Sequence, residues 1–205
     1  MKQEYDNYSI EDDEEEEGGK EPSVRSTMWS LMPKVLVAPA SGWEKVRKEG
    51  PSPEVAVIRF LLPFCLLAGG ADFFRLLYEV QLVFSDLLVE AVITFCSFFL
   101  GYYVSLVLLK LFLPRESKEF PVTRYGRLLV IGSTVSLAIF HILYVALPMF
   151  DFLIEFFPLW TVFLIYKGTA SGCFEEERHA FSMGVVCVVV ICSPVLIKWI
   201  FSFFT

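Results

Sequence analysis

The residues of this chain that could do chemistry are few and far apart. Asp72, Glu90 and His141 each lie within or beside a long apolar stretch. An ionisable side chain is costly inside a bilayer, so such residues point to ion or proton coupling by default. However, Asp72 and Glu90 lie near the ends of their stretches, and a lone histidine more often bonds a neighbouring helix. An intramembrane polar site at these three residues is therefore one hypothesis, and a structural role is the favoured alternative.

The other reactive side chains form no recognisable catalytic set. Glu175 and His179 are four residues apart, but a stable metal site needs three or four ligands. Ser97, Ser105 and Ser136 have no partner that would activate a nucleophile, and we expect them to bond between helices. The five cysteines form no C-x-x-C pair, so we interpret them as packing residues. We predict a protein that is not an enzyme and binds no cofactor and no metal.

Five long apolar stretches must position these residues. Each approaches the roughly 20 residues that span about 30 Å of hydrocarbon, and a backbone in lipid has to pair its own polar groups. Hydrophobic residues make up 55% of the chain, which is high for a soluble domain. We predict an all-α, polytopic membrane protein in which residues 53–205 form a bundle of five transmembrane helices, at about residues 54–77, 86–113, 125–147, 150–167 and 179–204.

The N-terminal part is expected to lie outside the hydrocarbon. Residues 1–25 hold ten Asp and Glu against three Lys and Arg, so residues 1–26 are predicted to be a disordered, acidic, cytoplasmic tail. Residues 27–52 intersperse Trp with Lys and Arg, which is typical of helices at the headgroup boundary. We expect N-terminal interfacial helices in this amphipathic segment. Its surface for lipid or a protein partner would comprise Trp29, Lys34, Trp43, Lys45, Arg47 and Lys48.

Lys and Arg are concentrated on one side of the predicted bundle. They occur before the first stretch and in the connections after the second and fourth stretches, whereas the other side has only Arg75 and Lys198. Loops rich in Lys and Arg stay in the cytoplasm. We therefore expect a cytoplasmic N-terminus and, with five spans, a C-terminus outside.

The order of several residues resembles a known family. The matching positions are Pro39 and Trp43 ahead of Glu49, Pro63 at the end of Phe60-Leu61-Leu62-Pro63, and Tyr166 and Gly168 in Tyr166-Lys167-Gly168. Over roughly residues 30–204 the chain resembles the prokaryotic branch of the Yip-domain family, named for members that interact with Ypt/Rab GTPases. The resemblance implies five spans and a role in membrane traffic or shaping through protein partners, without catalysis. The loop Tyr78 to Phe84 lacks the family's acidic Leu-Tyr-Gly-Pro type of motif, which favours a bacterial inner-membrane protein over a Rab-binding one.

Two functions from different classes remain open. The leading prediction is a noncatalytic membrane scaffold, organiser or trafficking-type factor that contacts lipids and a membrane-protein partner or a second copy, with no nucleic acid. The alternative is a small transporter or permease subunit, because Pro63, Pro158 and Pro194 interrupt three of the stretches. The alternative requires Asp72 and the other two polar residues to converge in one cavity.

Overall fold

A computed structural model describes residues 24–78, 83–150, 156–170, 174 and 179–203, and within these ranges every regular element is helical. Two helices come first, α1 and α2, and five follow, α3 to α7. Three single 3-10 turns lie in the connections, at Arg115–Ser117, Phe120–Val122 and Pro148–Phe150. The helix bounds are Val24–Val37 for α1, Pro39–Glu49 for α2, Pro53–Leu77 for α3, Phe84–Phe112 for α4, Arg124–Ala146 for α5, Phe157–Thr169 for α6 and His179–Phe201 for α7.

Four of these helices, α3, α4, α5 and α7, are long and apolar enough to cross a membrane. The all-helical class and these four spans agree with the sequence prediction. Helix α1 begins at Val24, which falls inside the tail predicted for residues 1–26, and the rest of that tail lies outside the described residues.

The fourth predicted span, at residues 150–167, differs from the helix found there. Helix α6 has 13 residues, or about 20 Å at 1.5 Å a residue, and residues 151–155 lie outside the described part of the chain. Pro158 occupies its first turn, where the missing N–H interrupts no hydrogen bond. Pro158 therefore starts a helix rather than kinking one, and the fifth span stays a prediction.

Helix α3 changes its geometry along its length. It is α-helical at Pro53–Ala56 and Leu62–Ala71, with a π-helical turn at Val57–Leu61 between them, and it ends in a 3-10 turn at Asp72–Leu77. The π-helical turn directly precedes Pro63, whose ring cannot follow a regular α-helical turn without a clash. The final 3-10 turn carries Asp72 into the interior.

Helix α5 is the centre of the bundle. Every residue from Leu128 to Ser136 is buried, because α3, α4, α6 and α7 all pack against it. Around this centre α4 packs most extensively on α7, where Gly101 faces Pro194. A side chain at Gly101 would place its Cβ 3.1 Å from the Pro194 nitrogen, so glycine allows the two helices to approach closely here.

The predicted hydrogen bonds between helices are found for one of the three serines. Ser136 lies 3.3 Å from the Thr161 hydroxyl, which joins α5 to α6. Ser97 and Ser105 instead donate to carbonyls four residues earlier in α4, at 2.7 and 2.8 Å. A hydroxyl in a helix can always reach that carbonyl, so its presence alone does not identify a contact between helices.

Candidate functional site

Five ionisable side chains meet at one end of the bundle, where they line a cavity of about 390 Å³ that we call the polar cavity. These side chains come from four different helices. The 3-10 turn of α3 contributes Asp72 and Arg75, the second turn of α4 contributes Glu90, α5 contributes His141, and the last turn of α7 contributes Lys198.

Asp72 and His141 form the buried half of this cluster. Asp72 is only 1% exposed, and its Oδ1 lies 3.1 Å from His141 Nε2. In this hydrogen bond a proton on His141 Nε2 is donated to the carboxylate. The other carboxylate oxygen, Asp72 Oδ2, is buried and has no hydrogen-bond partner among the described residues. A buried acceptor without a donor is costly, so this oxygen is the atom of the site that would gain most from an added hydrogen-bond donor.

Glu90 forms the more accessible half, between two cations. The guanidinium of Arg75 donates to Glu90 Oε2, and Lys198 Nζ lies 4.0 Å from Glu90 Oε1. Among the described residues that line the cavity, the carboxylates of Asp72 and Glu90 lie beside the basic side chains of Arg75 and Lys198. A balanced set of charges can lie beside apolar helices at far lower cost than any of its members alone. The Tyr78 hydroxyl donates to the Val145 carbonyl and closes the cavity between α3 and α5.

A second cavity of about 370 Å³ adjoins the first and is mostly apolar, and we call it the apolar cavity. Phe98, Leu137 and Ile191 are among its lining residues, from α4, α5 and α7. Its single unmatched polar atom among the described residues is Thr94 Oγ1, which is buried without a hydrogen-bond partner. The two cavities share three wall residues, His141, Tyr144 and Lys198.

All three residues of the hypothetical intramembrane polar site therefore line one cavity. It lies towards a helix end, because Glu90 is about 9 Å from the start of α4 and His141 about 8 Å from the end of α5, at 1.5 Å a residue. The three residues are not equivalent. Asp72 bonds His141, whereas Glu90 is held by cations.

Sequence reasoning missed three members of this site. Arg75 and Lys198 counted only as indicators of orientation, and Thr94 was not considered. The spacing contained a signal for two of them, since Arg75 follows Asp72 by one 3-10 turn and Thr94 follows Glu90 by four residues on the same face of α4. Nothing in the sequence signals that α7 turns Lys198 towards Glu90.

The N-terminal surface predicted for lipid or partners is only partly a surface. Lys34, Lys45, Arg47 and Lys48 are exposed, as that prediction requires. Trp43 is 1% exposed and its indole Nε1 donates to the Leu164 carbonyl of α6 at 2.9 Å. The structure therefore removes Trp43 from the predicted surface. The side chain of the remaining member, Trp29, lies outside the described residues.

Two distant glycines make the space that Trp43 occupies. A Cβ at Gly132 would lie 2.8 Å from Trp43 Cη2, and one at Gly168 would lie 3.2 Å from Trp43 Nε1. Tyr125 packs edge-on against the indole, with ring centroids 6.2 Å apart, and its hydroxyl donates to the Gly168 carbonyl at 2.8 Å. We call this set, with Leu164, the Trp43 socket. It fastens α2 to α5 and α6.

The six positions that carry the family resemblance have different environments. Trp43 and Gly168 touch in the Trp43 socket, and Pro39 is buried at the start of α2. Pro63 follows the π-helical turn of α3 and is half-buried, whereas Glu49 and Tyr166 are exposed. The socket thus joins two of these positions across most of the chain.

The exposed charges of α2 differ in their partners. Lys48 Nζ lies 2.8 Å from Glu44 Oε1, and this hydrogen bond and the opposite charge lower the pKa of Glu44 and raise that of Lys48. The Arg47 guanidinium lies 5.8 Å from the centre of the Tyr125 ring. Lys34 and Lys45 have no ion pair within the part of the chain that the structure describes.

Metal binding has no donor set among the described residues, where no group of three or more His, Cys, Asp or Glu is close enough to hold an ion. Of the pair considered in the sequence, Glu175 lies outside the described residues and His179 begins α7. The site is thus a cluster of paired acidic and basic side chains beside an apolar cavity. No family model, no curated protein and no solved structure matches the chain significantly.

Proposed function

We propose that this chain is a noncatalytic, multi-pass membrane protein that acts as a scaffold or organiser through the exposed basic surface of α1 and α2. The observation that carries the proposal is the Trp43 socket. By fastening α2 to α5 and α6, it turns a segment that could lie loosely on the membrane into a fixed part of the bundle. Lys34, Lys45, Arg47 and Lys48 then face outward from a rigid support.

The proposed orientation places this surface in the cytoplasm. Arg124 donates to the Pro51 carbonyl at 3.3 Å, and Arg127 pairs with Glu54 at 2.8 Å. These contacts bring the basic connection before α5 to the same end as α2, and an accumulation of Lys and Arg at one end favours the cytoplasmic side. With α6 as a fifth span the C-terminus would lie outside, as in the Yip-domain family that the chain resembles, and the membrane would be a bacterial inner membrane.

The charge of this surface suits anionic lipid headgroups. Each Lys or Arg near an anionic membrane surface contributes about 1 kcal/mol of attraction. At physiological ionic strength this attraction extends over about 8 Å, because salt screens it at longer distances. Several cations held on one support act together, whereas the same cations on a mobile segment would first have to be ordered. A protein partner with an acidic surface, or a second copy of the chain, would meet the same face.

The test measures how much phosphatidylglycerol the full chain retains. The protein is reconstituted into vesicles of phosphatidylcholine and phosphatidylglycerol, extracted gently, and its bound lipids are quantified by mass spectrometry. The triple variant Lys34→Gln, Lys45→Gln and Lys48→Gln removes three charges and leaves Arg47 on the Tyr125 ring. We expect its enrichment in phosphatidylglycerol to fall at least fivefold, which corresponds to about 1 kcal/mol, the attraction of one of the three charges.

A matched control changes the opposite charges on the same helix. The double variant Glu44→Gln and Glu49→Gln alters side chains of similar size and frees Lys48 from its pair, so its retention of phosphatidylglycerol should rise or stay level. Equal retention by the lysine variant and the unmodified protein would contradict the proposed surface.

The second candidate, a small permease subunit, rests on a different observation. Asp72, Glu90 and His141 line the polar cavity together, which is the arrangement that the permease hypothesis requires. Pro194 also lines the adjoining apolar cavity, at a point where α7 lacks one backbone donor. We place it second because Glu90 is held by two cations and the cavity lies towards one end of the bundle.

A further inference from the structure

The polar and apolar cavities together have the two-sided character of an amphiphile. They adjoin at His141, Tyr144 and Lys198, with charged side chains on one side and aliphatic and aromatic ones on the other. Each has a volume within the roughly 300–1,000 Å³ that is common for small-molecule sites. Taken together, they suit neither a purely polar nor a purely apolar ligand.

The polar cavity requires a donor and offers a cation. Asp72 is 1% exposed, and its Oδ2 lacks a hydrogen-bond donor among the described residues. Lys198 is half-exposed and only 4.0 Å from Glu90, which leaves its ammonium able to turn towards an added anion. The complementary ligand therefore carries an N–H donor with positive charge for Asp72 and, a few bonds away, a negative charge for Lys198.

A phosphoethanolamine group carries these two features, as a primary ammonium and a phosphate. A phosphocholine group also carries both charges, but its quaternary nitrogen has no N–H. It cannot donate to Asp72 Oδ2 and would leave that buried oxygen unsatisfied, a difference that discriminates strongly between otherwise similar ligands. The site should therefore distinguish the two headgroups by a hydrogen bond rather than by charge.

The apolar cavity has a wall at the outer surface of the bundle. Val195 of α7 is 66% exposed and Pro158 of α6 is also exposed, and both line this cavity. In a membrane this surface faces acyl chains, so a lipid tail can enter sideways without leaving the hydrocarbon. Thr94, which has no partner for its Oγ1 among the described residues, lies on the α4 wall of the same cavity.

We propose that the two cavities form one binding site for a phospholipid with a primary-amine headgroup, with the ammonium at Asp72, the phosphate at Lys198 and one acyl chain between α4, α5 and α7. This site is separate from the basic surface of α1 and α2. On α5, Gly132 in the Trp43 socket and His141 in the cavity wall are about 14 Å apart at 1.5 Å a residue.

The test uses phosphatidylethanolamine with a photoreactive diazirine in one acyl chain. The full chain is held in phosphatidylcholine nanodiscs with a small fraction of this probe, irradiated, and digested for mass spectrometry. We expect saturable labelling of the α7 segment around Val195. Unlabelled phosphatidylethanolamine should compete at least tenfold better than phosphatidylcholine, because only its ammonium donates a charge-assisted hydrogen bond.

Two variants test the two halves of the site. Asp72→Asn keeps the shape of the side chain and the acceptor for His141 but removes the charge, and we expect at least tenfold weaker competition by phosphatidylethanolamine. Val195→Trp fills the apolar cavity and should abolish the labelling. Val188→Trp is the matched control, since Val188 lies on the same helix, is 62% exposed and does not line either cavity, and it should label normally.

The outcomes separate this site from its alternatives. Equal competition by both lipids, or normal labelling of both Asp72→Asn and Val195→Trp, would mean that ordinary surrounding lipid is being labelled, and would overturn the proposal. Competition by free phosphoethanolamine as strong as by the lipid would also overturn it, in favour of a soluble ligand. The triple lysine variant of α1 and α2 should label normally, so that a failure of the proposed function and a failure of this inference are distinguishable.

Discussion

Trp43 is a side chain for which the sequence is compatible with two environments and does not decide between them. Trp beside Lys and Arg suits the headgroup boundary, and it equally suits a helix whose apolar face packs on protein. In this chain Gly132 and Gly168 leave space for the indole, and the Leu164 carbonyl accepts a hydrogen bond from its N–H. The deciding residues lie far from Trp43 in sequence. The exposure of the neighbouring lysines was therefore predictable and the burial of the tryptophan was not.

A conservative change at this residue tests the Trp43 socket. Trp43→Phe removes the hydrogen bond to Leu164 and leaves unfilled space, which together cost about 1–3 kcal/mol. We expect the midpoint of thermal unfolding in detergent, followed by circular dichroism, to fall by several degrees, at about 2–4 °C per kcal/mol.

Trp199 supplies the matched control for that measurement. It lies on α7, is 58% exposed, and is replaced by Phe in the same way. Trp199→Phe should change stability by less than about 0.5 kcal/mol, as exposed substitutions do. If both variants unfold at the same temperature as the unmodified protein, Trp43 does not fasten α2 to the bundle.

Among the elements, the four long helices were predictable nearly to their ends. The sequence predicts spans at 54–77, 86–113, 125–147 and 179–204, and the helices α3, α4, α5 and α7 occupy almost the same residues. Their ends are fixed by local chemistry, such as the Thr123 hydroxyl that accepts from the Gly126 N–H at the start of α5. The start of α6 was missed because apolar residues continue on both sides of Pro158. Hydropathy alone cannot indicate where such a run turns into a helix.

The number of crossings is tested by the side on which the C-terminus lies. If α6 completes a fifth span, a C-terminal alkaline phosphatase fusion should be active and a C-terminal green fluorescent protein fusion dark, because each reporter works on one side only. Fusions in the connection before α5 should give the opposite pattern, since its Lys and Arg place it in the cytoplasm. A fluorescent C-terminal fusion would contradict the fifth span, and with it the position of Lys198 at the same end of the bundle as Asp72 and His141.

For the whole molecule, the arrangement of charges is the feature that the sequence hid most completely. Each helix shows its own charged residues, but the rotation of each helix about its axis decides whether those residues meet. Asp72, Glu90, His141 and Lys198 come from four different helices and line one cavity. Sequence reasoning identified three of them as candidates and could state what their convergence would mean. It could not derive the convergence itself, because that depends on packing between distant segments.

Access to the polar cavity from the two sides of the membrane also distinguishes the scaffold from the permease. A permease must open the cavity to both sides of the membrane in turn, whereas a scaffold with a lipid site opens it to one. Tyr144→Cys places a thiol in the wall shared by both cavities, in a chain whose five native cysteines are replaced by Ala. We expect a membrane-impermeant maleimide to label it from one side only.

Val122→Cys provides the reference for sidedness in the same vesicles. Val122 is 61% exposed in the connection before α5, and its thiol should be labelled from the side opposite to that which reaches Tyr144→Cys. Labelling of Tyr144→Cys from both sides would favour the permease and contradict a cavity that opens to one side only.

The Trp43 socket has a consequence for the order in which this protein is completed during synthesis. The indole and the carbonyl that it bonds are 121 residues apart. At about 5–20 residues a second, Trp43 is synthesised roughly 6–24 s before Leu164. Helices α3, α4 and α5 are synthesised during that interval, yet the surface that receives Trp43 is incomplete until α6 is made. Helix α2 therefore docks only after α6 has been made, and the basic surface gains its fixed support at that point.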